Sequence, residues 1–190
     1  LMKRACAILL LWLPLLTAVA SVASAQQRPL VTADPETIGA GNILIEGGFD
    51  SERDAVYPAS GLTGNLLRVP TLGVSFGFSS ILELQVDGGL YNHLNITSIQ
   101  PAPLSDKLEL TGDETSDVGD VVVATKIRFV SEGPGRPGIG VRLATKLPIA
   151  SNESGLGLDT MDFYVSSLFG KTVSSVRIVG NFGLGILSDP

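Results

Sequence analysis

Thr71-Leu72-Gly73-Val74-Ser75-Phe76-Gly77-Phe78, then Ser79-Ser80, then Ile81-Leu82-Glu83-Leu84-Gln85-Val86-Asp87: residues 71–87 alternate twice, on either side of a two-residue break. Side chains of a strand point to opposite faces in turn. Leu72, Val74, Phe76 and Phe78 therefore share one face, and Gly73, Ser75 and Gly77 the other. Beyond the break Leu82, Leu84 and Val86 oppose Glu83, Gln85 and Asp87. Strands joined by so short a connection run antiparallel. One face is oily, and the other is small or charged.

The same grammar extends along the chain. Runs suited to strands fall at about 42–50, 66–78, 81–96, 119–130, 138–147, 161–171 and 174–187. Val121, Val123, Ile127 and Phe129 oppose Asp120, Lys126 and Arg128; Ile139, Val141, Leu143 and Leu147 oppose Arg142 and Lys146. No window of useful length carries an apolar stripe at i, i+3, i+4, i+7, so the fold class is all-β. Most runs reach the roughly 9–11 residues of a tilted transmembrane strand, against an average of about five or six in soluble domains. The intervals 51–65, 97–118 and 148–160 are long, and those at 79–80, 133–137 and 172–173 are short. Long and short connections in alternation are the rhythm of an antiparallel transmembrane β-barrel of the bacterial outer membrane. With a periplasmic N-terminus, Phe76, Phe78, Phe129 and Phe169 fall at periplasmic ends. Phe49, Tyr91, Phe163 and Tyr164 fall at extracellular ends, which makes two aromatic girdles.

The beginning of the chain reads differently. Residues 1–25 have the form of a cleaved signal peptide: Lys3 and Arg4, an apolar stretch from Ala5 to Val19, then Ala23-Ser24-Ala25. The apolar stretch is shorter than the roughly 20 residues a spanning helix needs. Residues 26–41, with Pro29, Pro35, Gly39 and Gly41, read as an irregular leader, and 42–190 as the barrel. The whole chain has thirteen Lys and Arg against nineteen Asp and Glu, a charge of −6. Loss of Lys3 and Arg4 leaves eleven against nineteen, or −8, which argues against nucleic acid as a partner. Cleavage also removes Cys6, the only cysteine, so disulfides cannot staple the exported chain.

The residues expected to carry function are the charges on the inner face: Glu83, Gln85 and Asp87, with Lys126, Arg128, Arg142 and Lys146. They form either a lining for a solute path or a ladder of paired charges that fills the lumen, since unpaired charge in a low-dielectric interior is costly. Depth along the strands suggests that Glu83 meets Arg128 and Arg142. Other constellations are weaker. His93 stands alone beside Tyr91 and Asn92. Asp113, Glu114, Asp117 and Asp120 lack calcium-loop spacing. Gly180-Asn181-Phe182-Gly183-Leu184-Gly185 lies within a strand pattern, with no helix after it to hold a phosphate. No catalytic set or metal motif assembles, so neither an enzyme nor a cofactor is expected.

Asp120-Val121-Val122-Val123-Ala124-Thr125-Lys126-Ile127-Arg128 resembles a strand of the bacterial outer-membrane β-barrel family of transporters of the phenol meta-cleavage pathway, which are porin-like. Ala144-Thr145-Lys146-Leu147-Pro148, Gly155-Leu156-Gly157, Asp162-Phe163 and Gly180-Asn181-Phe182-Gly183 extend the resemblance over about 42–190. It implies an outer-membrane barrel that passes small hydrophobic or aromatic solutes. The implied partners are outer-membrane lipid, a small-molecule solute and the outer-membrane assembly machinery, and no catalytic residue is implied. Seven strands depart from the even number of bacterial barrels. The chain is therefore expected to be the N-terminal part of a larger barrel whose C-terminal strands are missing. The alternative is a soluble exported β-sandwich or lipocalin-like binding protein, with its oily face buried and its charged face wet.

Overall fold

In the computed structural model, which describes residues 32–188, every regular element except a short 3-10 turn at Ser105–Lys107 is a strand. The expected signal peptide lies outside the described residues. Among them, no helix is long and apolar enough to cross a membrane, which says nothing about strands. Strand β1 (Ile43–Tyr57) turns over residues 58–61 into β2 (Leu62–Gly77). Strands β3 (Leu82–Gly89) and β4 (Asn92–Ile99) then lie end to end along β2, β3 beside its second half and β4 beside its first. Strands β5 (Glu114–Asp117) and β6 (Val121–Val130) repeat the arrangement against β4 and β3. They are followed by β7 (Gly138–Leu147), β8 (Asp162–Val173) and β9 (Val176–Ile186), each antiparallel to the one before.

Counting β3 with β4 and β5 with β6 as interrupted strands gives a seven-strand antiparallel meander, curled into a half-barrel. The short connections at 78–81, 131–137 and 174–175 share one end of the sheet. The turn at 58–61 and the loops 100–113 and 148–161 share the other.

The expected long interval at 51–65 is corrected. Strand β1 runs through it to Tyr57, and only residues 58–61 turn. Asp50-Ser51-Glu52-Arg53-Asp54 is exposed on both faces, so nothing there imposes an alternation to be read. Phe49 consequently lies within β1 rather than at its end. Tyr91 lies in the break between β3 and β4, midway along the sheet rather than at its long-loop end, and Tyr164 also leaves the expected girdle. It pairs with buried Ala144 and turns to the inner face, where its hydroxyl donates to Asp162 Oδ2 at 3.3 Å.

Both faces otherwise follow the alternation, except that its phase slips by one residue within β2: Leu62, Gly64 and Leu66 are buried before Pro70, and Gly73, Ser75 and Gly77 after it. The outer face presents Ile43, Ile45, Leu72, Phe129, Leu143, Phe163, Phe182 and Ile186 to the surroundings. The inner face buries Ser75, Glu83, Gln85, Lys126 and Ala144. The apolar core is small and local. Ala55, Leu62, Leu66 and Leu94 pack with Tyr57, Ile96, Leu108, Leu110 and Leu156 at the long-loop end. Hydrophobic side chains thus lie mostly outward, the inverse of a soluble sheet.

Candidate functional site

The charged inner face is the candidate site, and the strand register decides its pairings. Glu83 lies directly across from Lys126, which in turn lies across from Arg142. Lys126 Nζ sits 3.1 Å from Glu83 Oε1, and both side chains are essentially inaccessible, at 1% and 0%. Glu83 Oε1 also accepts from Gln85 Nε2 at 2.7 Å, and its Oε2 accepts from the Ile38 amide at 2.8 Å. Arg142 Nε donates to Gln85 Oε1 at 2.8 Å, while its Nη2 lies 3.6 Å from Asp87 Oδ2. Toward the long loops, Lys146 Nζ stands 2.7 Å from Asp162 Oδ2 and 3.6 Å from Asp120 Oδ2.

All seven expected residues therefore converge on one face, but the expected partners of Glu83 are corrected. Its ion pair is to Lys126, and Arg128 pairs with Glu36 instead. Arg128 lies two residues beyond Lys126, hence on the same face but nearer the short-turn end, where a different carboxylate meets it.

That carboxylate belongs to a segment for which period-two reasoning had no use. Residues 33–38 have no regular structure, yet they cross the inner face at its short-turn end. Asp34 takes a fork of bonds from Arg177, at 2.5 and 2.7 Å. Pro35 is fully buried, and Thr37 Oγ1 donates to the Ser80 carbonyl at 2.9 Å. The floor beneath is cleared by glycine. A Cβ on Gly77 would sit 1.8 Å from the Gly39 carbonyl oxygen, and one on Gly170 would sit 3.0 Å from the Pro35 ring. The available signal was Asp34-Pro35-Glu36 ahead of a sheet with cations on its inner face, together with inward glycines at one end. Alternation alone cannot pair them.

Electrostatics tie the strap to the neighbouring turn. Burial raises the Asp34 carboxyl, but the Arg177 bonds, the Glu36 amide and the Arg177 charge outweigh it and hold the group below its usual range. Glu132 is pushed down to about 2 by the Thr172 amide first and the Arg177 guanidinium second, with Lys171 adding to them against some desolvation. Arg177 thus bridges Asp34 and Glu132, at 2.5 and 2.6 Å.

At the opposite end the acidic residues act as loop anchors. Asp120 Oδ1 accepts the Ile149 and Ala150 amides, both at 3.0 Å, and Asp117 Oδ2 accepts the Ser151 amide at 2.8 Å. Among the described residues, no group of three or more His, Cys, Asp or Glu could hold a metal. His93 stacks on Tyr91 with ring centroids 6.1 Å apart and shares a 2.7 Å hydrogen bond with Ser116 Oγ. Ser116 is its cross-strand partner, so ordinary sheet register accounts for the contact. Gly180 to Gly185 lie within β9, as the strand pattern implies. Comparison with protein-family models, with curated proteins and with solved structures returned no match for this chain.

Proposed function

We propose that the chain forms part of the wall of a bacterial outer-membrane β-barrel, reached through a cleaved signal peptide, that conducts small hydrophobic or aromatic solutes. The observation that carries the proposal is the inversion of the faces. Phe129, Phe182 and Ile186 stand 67–73% exposed on the outside, while Glu83 and Lys126 are wholly buried on the inside. Lipid is the medium that makes such a sheet favourable, because exposed apolar area in water forfeits about 25 cal/mol per Å².

The free edges of β1 and β9 fit the same proposal. Among the described residues, each is paired on one side only. Unpaired backbone groups cost several kcal/mol apiece in hydrocarbon, so a membrane barrel must close. Further strands against β1 and β9 complete it. The strap at 33–38 narrows the inner face at the short-turn end, which in this arrangement is periplasmic. No step here is catalytic, and the barrel acts by excluding some solutes and admitting others.

The test is fractionation of the full-length gene product from a Gram-negative host. The expected result is recovery in the outer membrane with heat-modifiable migration on gels, and solute-dependent swelling of vesicles that contain it. Recovery in the soluble periplasm, with no heat-modifiable form, would refute the proposal.

A further inference from the structure

At the short-turn end the wall carries more cations than acids. Arg128, Arg177 and Lys171 stand there against Glu132, which Arg177 Nη1 and Lys171 Nζ approach to 2.6 and 3.4 Å. Exposed Arg136 on the adjoining turn adds to the excess, and Glu83, one level deeper, is spent on Lys126. Asp34 and Glu36 of the strap supply the missing negative charge, Asp34 on Arg177 and Glu36 on Arg128.

The two arginines are not equally satisfied. Arg177 holds Asp34 in a fork, through Nε and Nη2. Arg128 reaches Glu36 through Nη1 alone and gives Nη2 to the Ser80 carbonyl at 2.5 Å. Its buried Nε has no hydrogen-bond partner among the described residues. A guanidinium recognises a carboxylate best through two parallel N–H groups, so the strap fills the Arg128 end incompletely.

The strap is also attached lightly. Of residues 33–38 only Pro35 is fully buried, close to Gly138 and Gly170. The rest of its attachment is polar, through the Ile38 amide, Thr37 Oγ1 and the Asn181 amide at Ala33. No ladder of the sheet runs through it, so the wall keeps its registers without it. Behind it Gly39 and Gly41 have φ +86° and +75°, values open to glycine, which gives the segment a hinge. The chain then pairs with the wall at Gly77, which exchanges backbone bonds with Gly41 and Asn42 at 2.7 and 2.9 Å.

We propose that Arg128 and Arg177 form a binding site for a small dicarboxylate, and that the strap closes the short-turn mouth by occupying this site with Asp34 and Glu36 in the ligand's place. Strap and ligand use the same donors, so each excludes the other, and binding shifts the strap off the inner face. The dicarboxylate acts as an effector and is not the conducted solute. The inference rests on the barrel proposed above for the meaning of an open mouth, whereas the competition is a property of the chain itself.

The experiment uses the full-length protein in lipid-free detergent at pH 7, with ionic strength fixed by chloride. Calorimetry compares adipate and suberate with hexanoate, which has one carboxylate. One of the two dicarboxylates is expected to bind at least about tenfold more tightly than hexanoate, the worth of a second charge-assisted contact. The same compound should speed hydrogen exchange at the Ile38 amide about tenfold or more. Asp34→Asn with Glu36→Gln removes the internal competitor and should tighten dicarboxylate binding about tenfold. Gly77→Ala displaces the strap without touching a charge and serves if the first variant does not fold. Arg128→Gln should abolish the preference for two carboxylates. Absence of dicarboxylate binding in both backgrounds, binding that weakens when the strap is released, or a preference that survives Arg128→Gln would overturn the inference. So would faster exchange that chloride alone reproduces, because that is screening. Planar-bilayer recording is a separate measurement: release of the strap by a dicarboxylate without added conductance would uphold the site and refute conduction instead.

Discussion

Replacement of Glu83 by Gln is the most direct test of the inner face. The carboxylate has three donors around it: Lys126 Nζ at 3.1 Å, Gln85 Nε2 at 2.7 Å and the Ile38 amide at 2.8 Å. A Gln amide keeps one acceptor oxygen and turns an NH₂ group toward one of those donors. Lys126 then loses the carboxylate paired with it, and among the described residues its buried Nζ has no hydrogen-bond partner to compensate. Removing one member of a buried ion pair costs about 3–5 kcal/mol, against roughly 0–1 for an exposed pair. With both side chains inaccessible, the loss should lie in the upper range. Urea unfolding of the full-length protein in detergent or lipid would measure it. Lys126→Met in the same background removes the stranded charge and should restore most of the loss, so the two changes are strongly non-additive. A loss below about 1 kcal/mol, or simple additivity, would refute the pairing and with it the register of β3 against β6.

Three further outcomes are expected. Leu143→Arg, near the middle of β7 on the outer face, should cost about 2–4 kcal/mol in lipid, whereas a water-facing site would tolerate it within about 0.5; equilibrium unfolding separates the two. Gly77→Ala should displace the strap, because its Cβ would overlap the Gly39 carbonyl; faster hydrogen exchange at the Ile38 amide would report it, and unchanged protection would contradict the strap's position. Glu132 titrates at about 2 rather than its ordinary 4.5, so its contribution is complete above pH about 4.5 and fades as pH falls toward 2. Arg177→Gln should move that titration upward, and a carboxyl carbon chemical-shift titration that shows no movement would count against the bridge.

Alternation is local, and that is why so much of this sheet is legible in residues 71–87 and their repeats. A side chain's face depends only on its parity along the strand, and the medium on each side selects oil or charge. Leu72 against Gly73, Leu84 against Gln85 and Ile127 against Lys126 were readable for that reason, as was the gathering of seven charged or polar residues on one face. Parity carries no information where neither face is buried, so β1 from Asp50 to Asp54 passed for a loop. It also cannot say which charge meets which. The choice of Lys126 rather than Arg128 for Glu83 is set by a register offset of two residues, which keeps the face and changes the neighbour. Asp34 and Glu36 lie 143 and 92 positions from the arginines they hold, and no periodic signal spans such distances. The strap exists because chain closure brings an acidic, proline-containing segment over glycines that leave it room. Which face a residue takes follows from its neighbours in the chain, and which partner it finds follows from how the sheet curls.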